Sequence, residues 1–142
     1  MTTSPSSDVS SLRILLIDDD DFQIEFISDL LEQLGVQDIR TATGGEVAMQ
    51  MLNVRAQFPD LILCDIHMPG IDGFELMKLL GDRDFNGSVI LMSGQGSKVL
   101  YSASLVAQLA RLNFLGTLEK PLQKDPLLTM LEKRPGTGQA YQ

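Results

Sequence analysis

The chain of 142 residues has no tryptophan, one cysteine and no long apolar run. The single Cys64 excludes a disulfide within the chain, so a reducing, cytoplasmic setting is expected. No apolar run approaches the ~20 residues that a membrane-spanning helix needs, so we expect no membrane association. Residues 1–11 lack the basic and apolar stretches of a signal peptide, so we expect no secretion signal there.

Basic and aromatic residues are also scarce. Eleven Lys and Arg stand against 19 Asp and Glu, which gives a net charge of −8, and aromatic residues make up only 6% of the chain. The basic residues are scattered along the sequence rather than clustered. An acidic chain without a basic run or an aromatic platform is poorly suited to nucleic acid or to an anionic membrane surface. We expect neither as the main partner.

Hydrophobic residues make up 44% of the chain, which is enough for one domain with a substantial core. Residues 1–11 are rich in Ser, Thr and Pro and are predicted to form a disordered tail. Residues 134–142 contain Pro and Gly and are predicted to be a flexible tail or linker. The folded domain is therefore expected to span residues 12–133.

Short apolar runs alternate with segments of helical periodicity. The runs predict strands at 13–17, 39–42, 60–64, 88–92 and 115–118. The periodic segments predict helices that begin near 22, 47 and 74, a long fourth helix over 97–113, and a last helix with Asp125 as N-cap and Pro126 as first residue. Five alternating βα units predict an α/β fold, with a parallel sheet and helices on both faces.

Polar residues follow four of these apolar runs, at the point where each strand ends. They are Asp18 and Asp19, Asp65, Ser93 and Lys120. Parallel strands end at one edge of their sheet, so these side chains should converge. Three carboxylates, a hydroxyl and an amine suit a divalent cation, here Mg²⁺, and a phosphoryl group.

Four segments together resemble the receiver domain of response regulators in two-component signalling, the CheY-like family. They read ILLIDDDD at 14–21, LILCDIHMPGIDG at 61–73, VILMSG at 89–94 and LEKP at 118–121. The resemblance implies a flavodoxin-like, doubly wound (βα)5 fold with strand order 2-1-3-4-5. It also implies a phosphoacceptor signalling domain rather than an enzyme, with a histidine kinase or phosphotransfer protein as partner.

The resemblance further assigns a role to each polar group. For the phosphoryl chemistry, it implies Asp65 as phosphoacceptor, Ser93 as the hydroxyl that senses the phosphoryl group, and Lys120 as the lysine of the site. For the metal, it implies that Mg²⁺ is held by Asp18, Asp19, Asp65 and the backbone carbonyl of His67.

A finer resemblance concerns the output. Residues 112–121 are similar to receivers attached to EAL-type cyclic di-GMP phosphodiesterase domains. This implies an EAL-type output domain, or a homodimer through the fourth helix and fifth strand. Many receivers carry Tyr or Phe three residues before the lysine, but here the residue is Thr117. The turn 94–96 between Ser93 and the fourth helix is therefore expected to carry the signal.

Two other functions use similar residues. A haloacid-dehalogenase-like phosphatase also has a strand-end Asp and Mg²⁺, but it normally has a second Asp two positions later, where this chain has His67. The chain is also too short for a cap domain. A degenerate receiver that acts only as a binding module is disfavoured, because all five site groups are present.

Overall fold

The computed structural model describes residues 9–94, 105, 109 and 111–135. The strands are β1 Arg13–Ile17, β2 Asp38–Ala42, β3 Leu61–Asp65, β4 Ser88–Ser93 and β5 Asn113–Glu119. The helices are α1 Asp21–Gln33, α2 Gly45–Met51, α3 Gly73–Asp82 and α4 Lys124–Leu131, with a 3-10 turn at Arg55–Gln57. No helix among these residues combines the length and apolarity needed to cross a membrane.

The five strands form one parallel sheet in the order β2-β1-β3-β4-β5. This confirms the predicted α/β class and the doubly wound strand order. The central strands β3 and β4 are buried at every residue because helices cover both faces of the sheet. That is why their sequences are continuous apolar runs rather than alternating ones.

Alternate residues of each strand enter two separate cores. Leu15 and Ile17 of β1 point to the side covered by α2 and α3. Ile14 and Leu16 point to the opposite side, where α1 and α4 pack. This alternation follows from the two-residue period of a strand, and it leaves the strand ends as the places where polar side chains can meet.

The sequence predicted that the long fourth helix would end at residue 113, which is later than the structure allows. Arg111 and Leu112 form a turn, and β5 already begins at Asn113, which pairs with Ser88 of β4. The Asn113 side chain also donates a hydrogen bond to the Asn86 carbonyl at 3.0 Å. Strand pairing thus overrides the apolar period. Leu109 is helical and buried, as the period predicts, while most of that predicted helix lies outside the described residues.

The start of the last helix also differs from the prediction. Its N-cap is Gln123 rather than Asp125, so Asp125 and Pro126 are the second and third helical residues. A proline fits there because the first four N–H groups of a helix have no partner within the helix. Asp125 still lies in the first turn, where its charge complements the helix dipole.

The N-terminal boundary lies earlier than residue 12. Val9 is 3% exposed and packs in the same core as α1 and α4. Its carbonyl accepts a hydrogen bond from the N–H of Leu12 at 3.1 Å. The predicted disordered tail therefore does not include Val9, because its side chain fills a place beside Gly35. Residues 1–8 and 136–142 lie outside the described part, so the tails predicted there stay predictions.

Two glycines of α3 give a matched test of packing. A Cβ at Gly73 would lie 2.7 Å from the Asp65 carbonyl oxygen and 2.8 Å from the Ile66 Cα, whereas a Cβ at Gly81 would meet nothing within 4 Å. We expect Gly73→Ala to lower the free energy of unfolding by about 1–3 kcal/mol through overpacking. Gly81→Ala should raise it by up to ~1 kcal/mol through helix propensity. Urea unfolding of both variants measures this; equal effects would contradict the packing account.

Candidate functional site

The carboxyl ends of four strands lie side by side at one edge of the sheet. Ile17 of β1 pairs with Cys64 of β3, and the last residue of β3, Asp65, pairs with Met92 of β4. Ser93 then pairs with Glu119 of β5. The residues that follow or end these strands are therefore neighbours, and the structure brings together the predicted Asp18, Asp65, Ser93 and Lys120.

Asp18 is fully buried in this site, with 0% exposure. Its N–H donates to the Ala42 carbonyl at 3.1 Å, which extends the pairing of β1 with β2 by one residue. Its carboxylate accepts the Asp20 N–H at 3.0 Å and the Lys120 Nζ at 2.7 Å. All of these contacts hold the carboxylate in one orientation at the start of the β1–α1 loop.

Lys120 bridges the two buried carboxylates. Its Nζ lies 2.7 Å from Asp18 Oδ2 and 3.1 Å from Asp65 Oδ2, and the three side chains are only 14%, 1% and 7% exposed. The N–H of Lys120 donates to the Ser93 carbonyl at 2.8 Å, and a cis peptide bond joins Lys120 to Pro121. The two ion pairs place the ammonium between the ends of β1 and β3, although it comes from the end of β5.

The charges of this cluster shift the pKa of two members. Burial and then the charge of Asp18 raise the pKa of Asp65 above its ordinary value, although Lys120 and the N–H of His67 act in the opposite direction. Burial alone would lower the pKa of Lys120, but its hydrogen bond to Asp18 and the charge of Asp65 raise it overall. Lys120 is therefore a firmly held cation between two carboxylates.

Asp19 completes an acidic cluster. It is exposed, and its carboxylate oxygens lie within 4.8 Å of oxygens of Asp18 and Asp65. Three carboxylates at this spacing are hard oxygen donors of the kind that Mg²⁺ prefers, and Mg²⁺ sites in proteins usually complete their coordination with water and phosphate. The donor set therefore fits the predicted metal.

Ser93 lies on the strand next to Asp65, and His67 follows Asp65 by two residues. Ser93 is the last residue of β4 and is 5% exposed. His67 is exposed, and its backbone N–H acts to lower the pKa of Asp65. The metal-binding role of its backbone carbonyl stays a prediction. Of the predicted signalling turn 94–96, only Gly94 belongs to the described residues.

Two further residues near the site have structural explanations. Asp72 is the N-cap of α3 and accepts the Glu75 N–H at 2.8 Å. The Cys64 thiol is buried and donates to the Asp65 carbonyl at 3.2 Å. Burial and then the charge of Asp65 raise the pKa of Cys64, which keeps the thiol protonated and unreactive.

Sequence reasoning missed one exposed feature beside the site. Phe22 is 69% exposed at the start of α1, three residues after Asp19, and Phe26 follows one turn later with 37% exposure. Both recur with Leu30 at helical spacing in the sequence, yet neither ring is buried. Ile27 points into the core, whereas the rings of Phe22 and Phe26 point away from it. The position of the two rings relative to Ile27 on the helix is therefore what distinguishes them from the core residues of α1.

Together, the fold and the buried Asp–Lys–Asp cluster define the class of protein. It is a flavodoxin-like α/β domain with an acidic site at the carboxyl edge of its sheet. Residues 14–132 match the family described as the response regulator receiver domain. The chain belongs to this CheY-like family. Its structure is similar to the Francisella response regulator 1452 receiver domain, with a TM-score of 0.67 and 28% identity over 87% of this chain and 98% of that chain.

Curated relatives show the same domain in different contexts. The chain is 29% identical to the chemotaxis protein CheY of Bacillus subtilis, over 85% of this chain and 95% of that protein. It is 32% identical to the 3′,5′-cyclic-nucleotide phosphodiesterase regA of Dictyostelium discoideum, over 83% of this chain but only 14% of that protein. A protein-glutamate methylesterase of Desulfotalea psychrophila is 34% identical over 83% of this chain and 31% of that protein. The chain thus spans only the receiver portion of its multidomain relatives.

Proposed function

We propose that this chain accepts a phosphoryl group on Asp65 from a phosphohistidine of a histidine kinase or phosphotransfer protein, and that this changes an output surface. The observation that carries the proposal is the position of Lys120 Nζ, at 2.7 Å from Asp18 and 3.1 Å from Asp65. A buried ammonium shared by two carboxylates leaves a carboxylate oxygen and a cation next to each other for an incoming phosphoryl group.

The residues divide the chemistry between them. Asp65 supplies the oxygen that bonds to phosphorus while the phosphorus–nitrogen bond of the donor breaks. Lys120 offers a compact charge to a phosphoryl oxygen, and the Ser93 hydroxyl offers a hydrogen bond to another. Asp18, Asp19, Asp65 and the His67 carbonyl would hold Mg²⁺, which would supply charge neutralisation when bound. Without it, each close carboxylate pair costs about 3 kcal/mol at ~5 Å and an effective dielectric of ~20.

Incubation of the chain with Mg²⁺ and acetyl phosphate, followed by mass spectrometry, tests the proposal. We expect a stable gain of one phosphoryl group. Steady release of inorganic phosphate with no bound intermediate would favour the haloacid-dehalogenase-like phosphatase instead. No gain and no release would favour a degenerate receiver that works as a binding module.

The exposed rings of α1 support a protein donor. Phe22 lies three residues after Asp19 in the chain, and its N–H bonds to the Asp20 side chain at 2.9 Å, which holds the first turn in place. An apolar patch beside a charged site is typical of a docking surface. We propose that it contacts the helix that carries the phosphohistidine. A kinase partner also implies the cytoplasmic setting expected from the sequence.

Phe22→Ala is expected to slow phosphoryl transfer from a phosphorylated histidine kinase about tenfold or more, the range for an aromatic anchor. Transfer from acetyl phosphate should stay unchanged, because a small donor needs no docking surface. Val54→Ala is the matched control, since Val54 is 50% exposed and lies outside α1, between α2 and the 3-10 turn. If both donors slow equally, Phe22 supports the fold of the site rather than docking.

Mg²⁺ is expected to raise the melting temperature of the wild type, since it binds the folded cluster only. At a hundred times Kd the gain is about 2.7 kcal/mol. Asp19→Ala should lose most of this gain while the metal-free protein is no less stable, because one like-charge repulsion is removed. Asp21→Ala, on the exposed first turn of α1, should respond like the wild type. A full Mg²⁺ response in Asp19→Ala would contradict the ligand role.

The output surface is also part of the proposal. Thr117 is half-buried in β5 and pairs with Leu91, so no aromatic ring can rotate at this position. We propose that the Ser93–Gly94 end of β4 carries the change to the face of β5 and the preceding helix. β5 is an edge strand of the sheet, which suits contact with a second copy or with an output domain. An EAL-type domain is the output that the sequence favours, and a phosphodiesterase among the relatives is consistent with it.

A further inference from the structure

A loop of residues 66–72 joins the end of β3 to α3 and follows Asp65 directly. Hydrogen bonds fix both of its ends. The Ile66 N–H donates to the Met92 carbonyl of β4 at 2.9 Å, and the Gly73 N–H donates to the Ile66 carbonyl at 2.8 Å. The backbone between these two bonds belongs to no strand or helix, so other contacts must hold it in place.

The first two residues of α2 contact the second half of this loop. A Cβ on Gly45 would lie 2.6 Å from the Ile71 carbonyl oxygen and 2.7 Å from the Ile71 Cβ, which is too close for any side chain. A Cβ on Gly70 would likewise overlap the carboxylate of Glu46. Gly45 is buried, and Ile71 packs against the core that α2 and α3 share. Helix and loop therefore approach each other at a distance that only glycine at position 45 allows.

The same loop carries the His67 carbonyl, which belongs to the proposed metal site. A backbone carbonyl has no rotatable side chain, so the path of the loop alone decides where its oxygen points. Metal ligands must be held within about 0.5 Å of their productive position. Residues that orient a ligand without touching the metal change metal affinity by about 10–100-fold when they are substituted. A contact that fixes the path of this loop therefore bears on metal affinity.

We propose that Gly45 is a positioning residue of the metal site. It lets the first turn of α2 pack directly on Ile71, and this contact sets the path of the backbone from Ile66 to Ile71, which includes the His67 carbonyl. The amino end of α2 thereby controls Mg²⁺ affinity without contacting the metal. This inference rests on the proposed function, in which Asp65 and the His67 carbonyl hold Mg²⁺.

Titration of ¹⁵N-labelled Gly45→Ala with Mg²⁺, followed by NMR, tests this proposal. The added Cβ meets the backbone oxygen of Ile71, which cannot rotate away as a side chain could, so the loop must shift. We expect the Kd for Mg²⁺ to rise about tenfold or more relative to the wild type. Before Mg²⁺ is added, the amides of residues 66–72 should exchange with solvent faster than in the wild type, because the loop has lost its close packing on α2.

Two other glycines supply matched controls. A Cβ on the adjacent Gly44 would meet only Glu46 Oε1, at an ordinary 3.9 Å, so Gly44→Ala should bind Mg²⁺ like the wild type. A Cβ on Gly87 would lie 2.7 Å from the Asp60 carbonyl oxygen, at the opposite edge of the sheet. Gly87→Ala therefore overpacks the backbone as Gly45→Ala does, but it leaves the loop alone and should not change the Kd for Mg²⁺.

Equal weakening of Mg²⁺ binding by Gly45→Ala and Gly87→Ala would reduce the effect to lost stability and overturn the proposal, as would an unchanged Kd in a folded Gly45→Ala. If Gly45→Ala does not fold, Ile71→Ala removes the contact from the half-buried loop side, and unchanged Mg²⁺ affinity in that variant overturns the proposal. If the wild type binds no Mg²⁺, the proposed metal site fails, and the exchange rates of residues 66–72 alone decide whether Gly45 holds the loop.

Discussion

Asp65→Asn is expected to abolish incorporation of a phosphoryl group from acetyl phosphate or from a histidine kinase. Asn keeps the shape of the side chain but removes the carboxylate oxygen that bonds to phosphorus. The fold should persist. Burial and the charge of Asp18 disfavour the charged form of Asp65, which is why its pKa is raised. Replacement by the neutral Asn therefore removes an unfavourable contribution to the stability of the fold. Mass spectrometry of the intact chain with Mg²⁺ and donor measures the effect.

Asp72→Asn is the control for this experiment. Asp72 lies seven residues later in the same loop region, and Asn can cap α3 as well as Asp does. This variant should incorporate phosphate like the wild type. Phosphate retained by Asp65→Asn, or mapped in the wild type to a Ser, Thr or His, would show that another residue is the acceptor.

Lys120→Met should lower the free energy of unfolding by about 3–5 kcal/mol at neutral pH, the loss found when one partner of a buried ion pair is removed. The side chains of Asp18 and Asp65 are 1% and 7% exposed, so neither carboxylate can turn to bulk water for compensation. Lys124→Met is the matched control, because Lys124 is exposed at the first residue of α4 and should change stability little. Urea unfolding without Mg²⁺ compares the two.

The stability difference between the wild type and Lys120→Met should also depend on pH, in a direction that follows from the pKa shifts. An acid whose folded pKa is raised adds stability below its unfolded pKa, here 3.8, and loses it as the pH rises through the folded pKa. Lys120 lowers the pKa of Asp65. Removal of Lys120 therefore enlarges the loss of stability that occurs as the pH rises. The gap between wild type and Lys120→Met should therefore open as the pH rises from about 4. Because the pKa of Lys120 is itself raised, the wild type should lose its advantage above pH 10.5.

A gap that is the same at pH 4 and pH 7 would show that Lys120 acts through packing rather than charge. Mg²⁺ offers a second check. The cation would replace part of the missing positive charge, so it should narrow the gap between Lys120→Met and the wild type. A gap that widens with Mg²⁺ would contradict the shared acidic cluster.

The sequence by itself determined the architecture and which polar side chains gather at one edge of the sheet. Short continuous apolar runs such as 61–64 are typical of strands covered on both faces, and their alternation with helical segments predicts a parallel sheet. Once the strands are parallel, Asp18, Asp65, Ser93 and Lys120 must meet at one edge. Local sequence patterns were therefore sufficient to predict the features that depend on a hydrophobic period or on the end of a strand.

Only the tertiary structure decided how these groups pair. Sequence spacing does not reveal that Lys120 bonds to Asp18 at 2.7 Å across 102 residues of chain, because that contact depends on how β5 is placed beside β4. The same holds for Val9, whose burial depends on a space beside Gly35, and for Asn113, where pairing with β4 overrides the helical period. Long-range packing determines each of these features, so a local sequence pattern does not predict them.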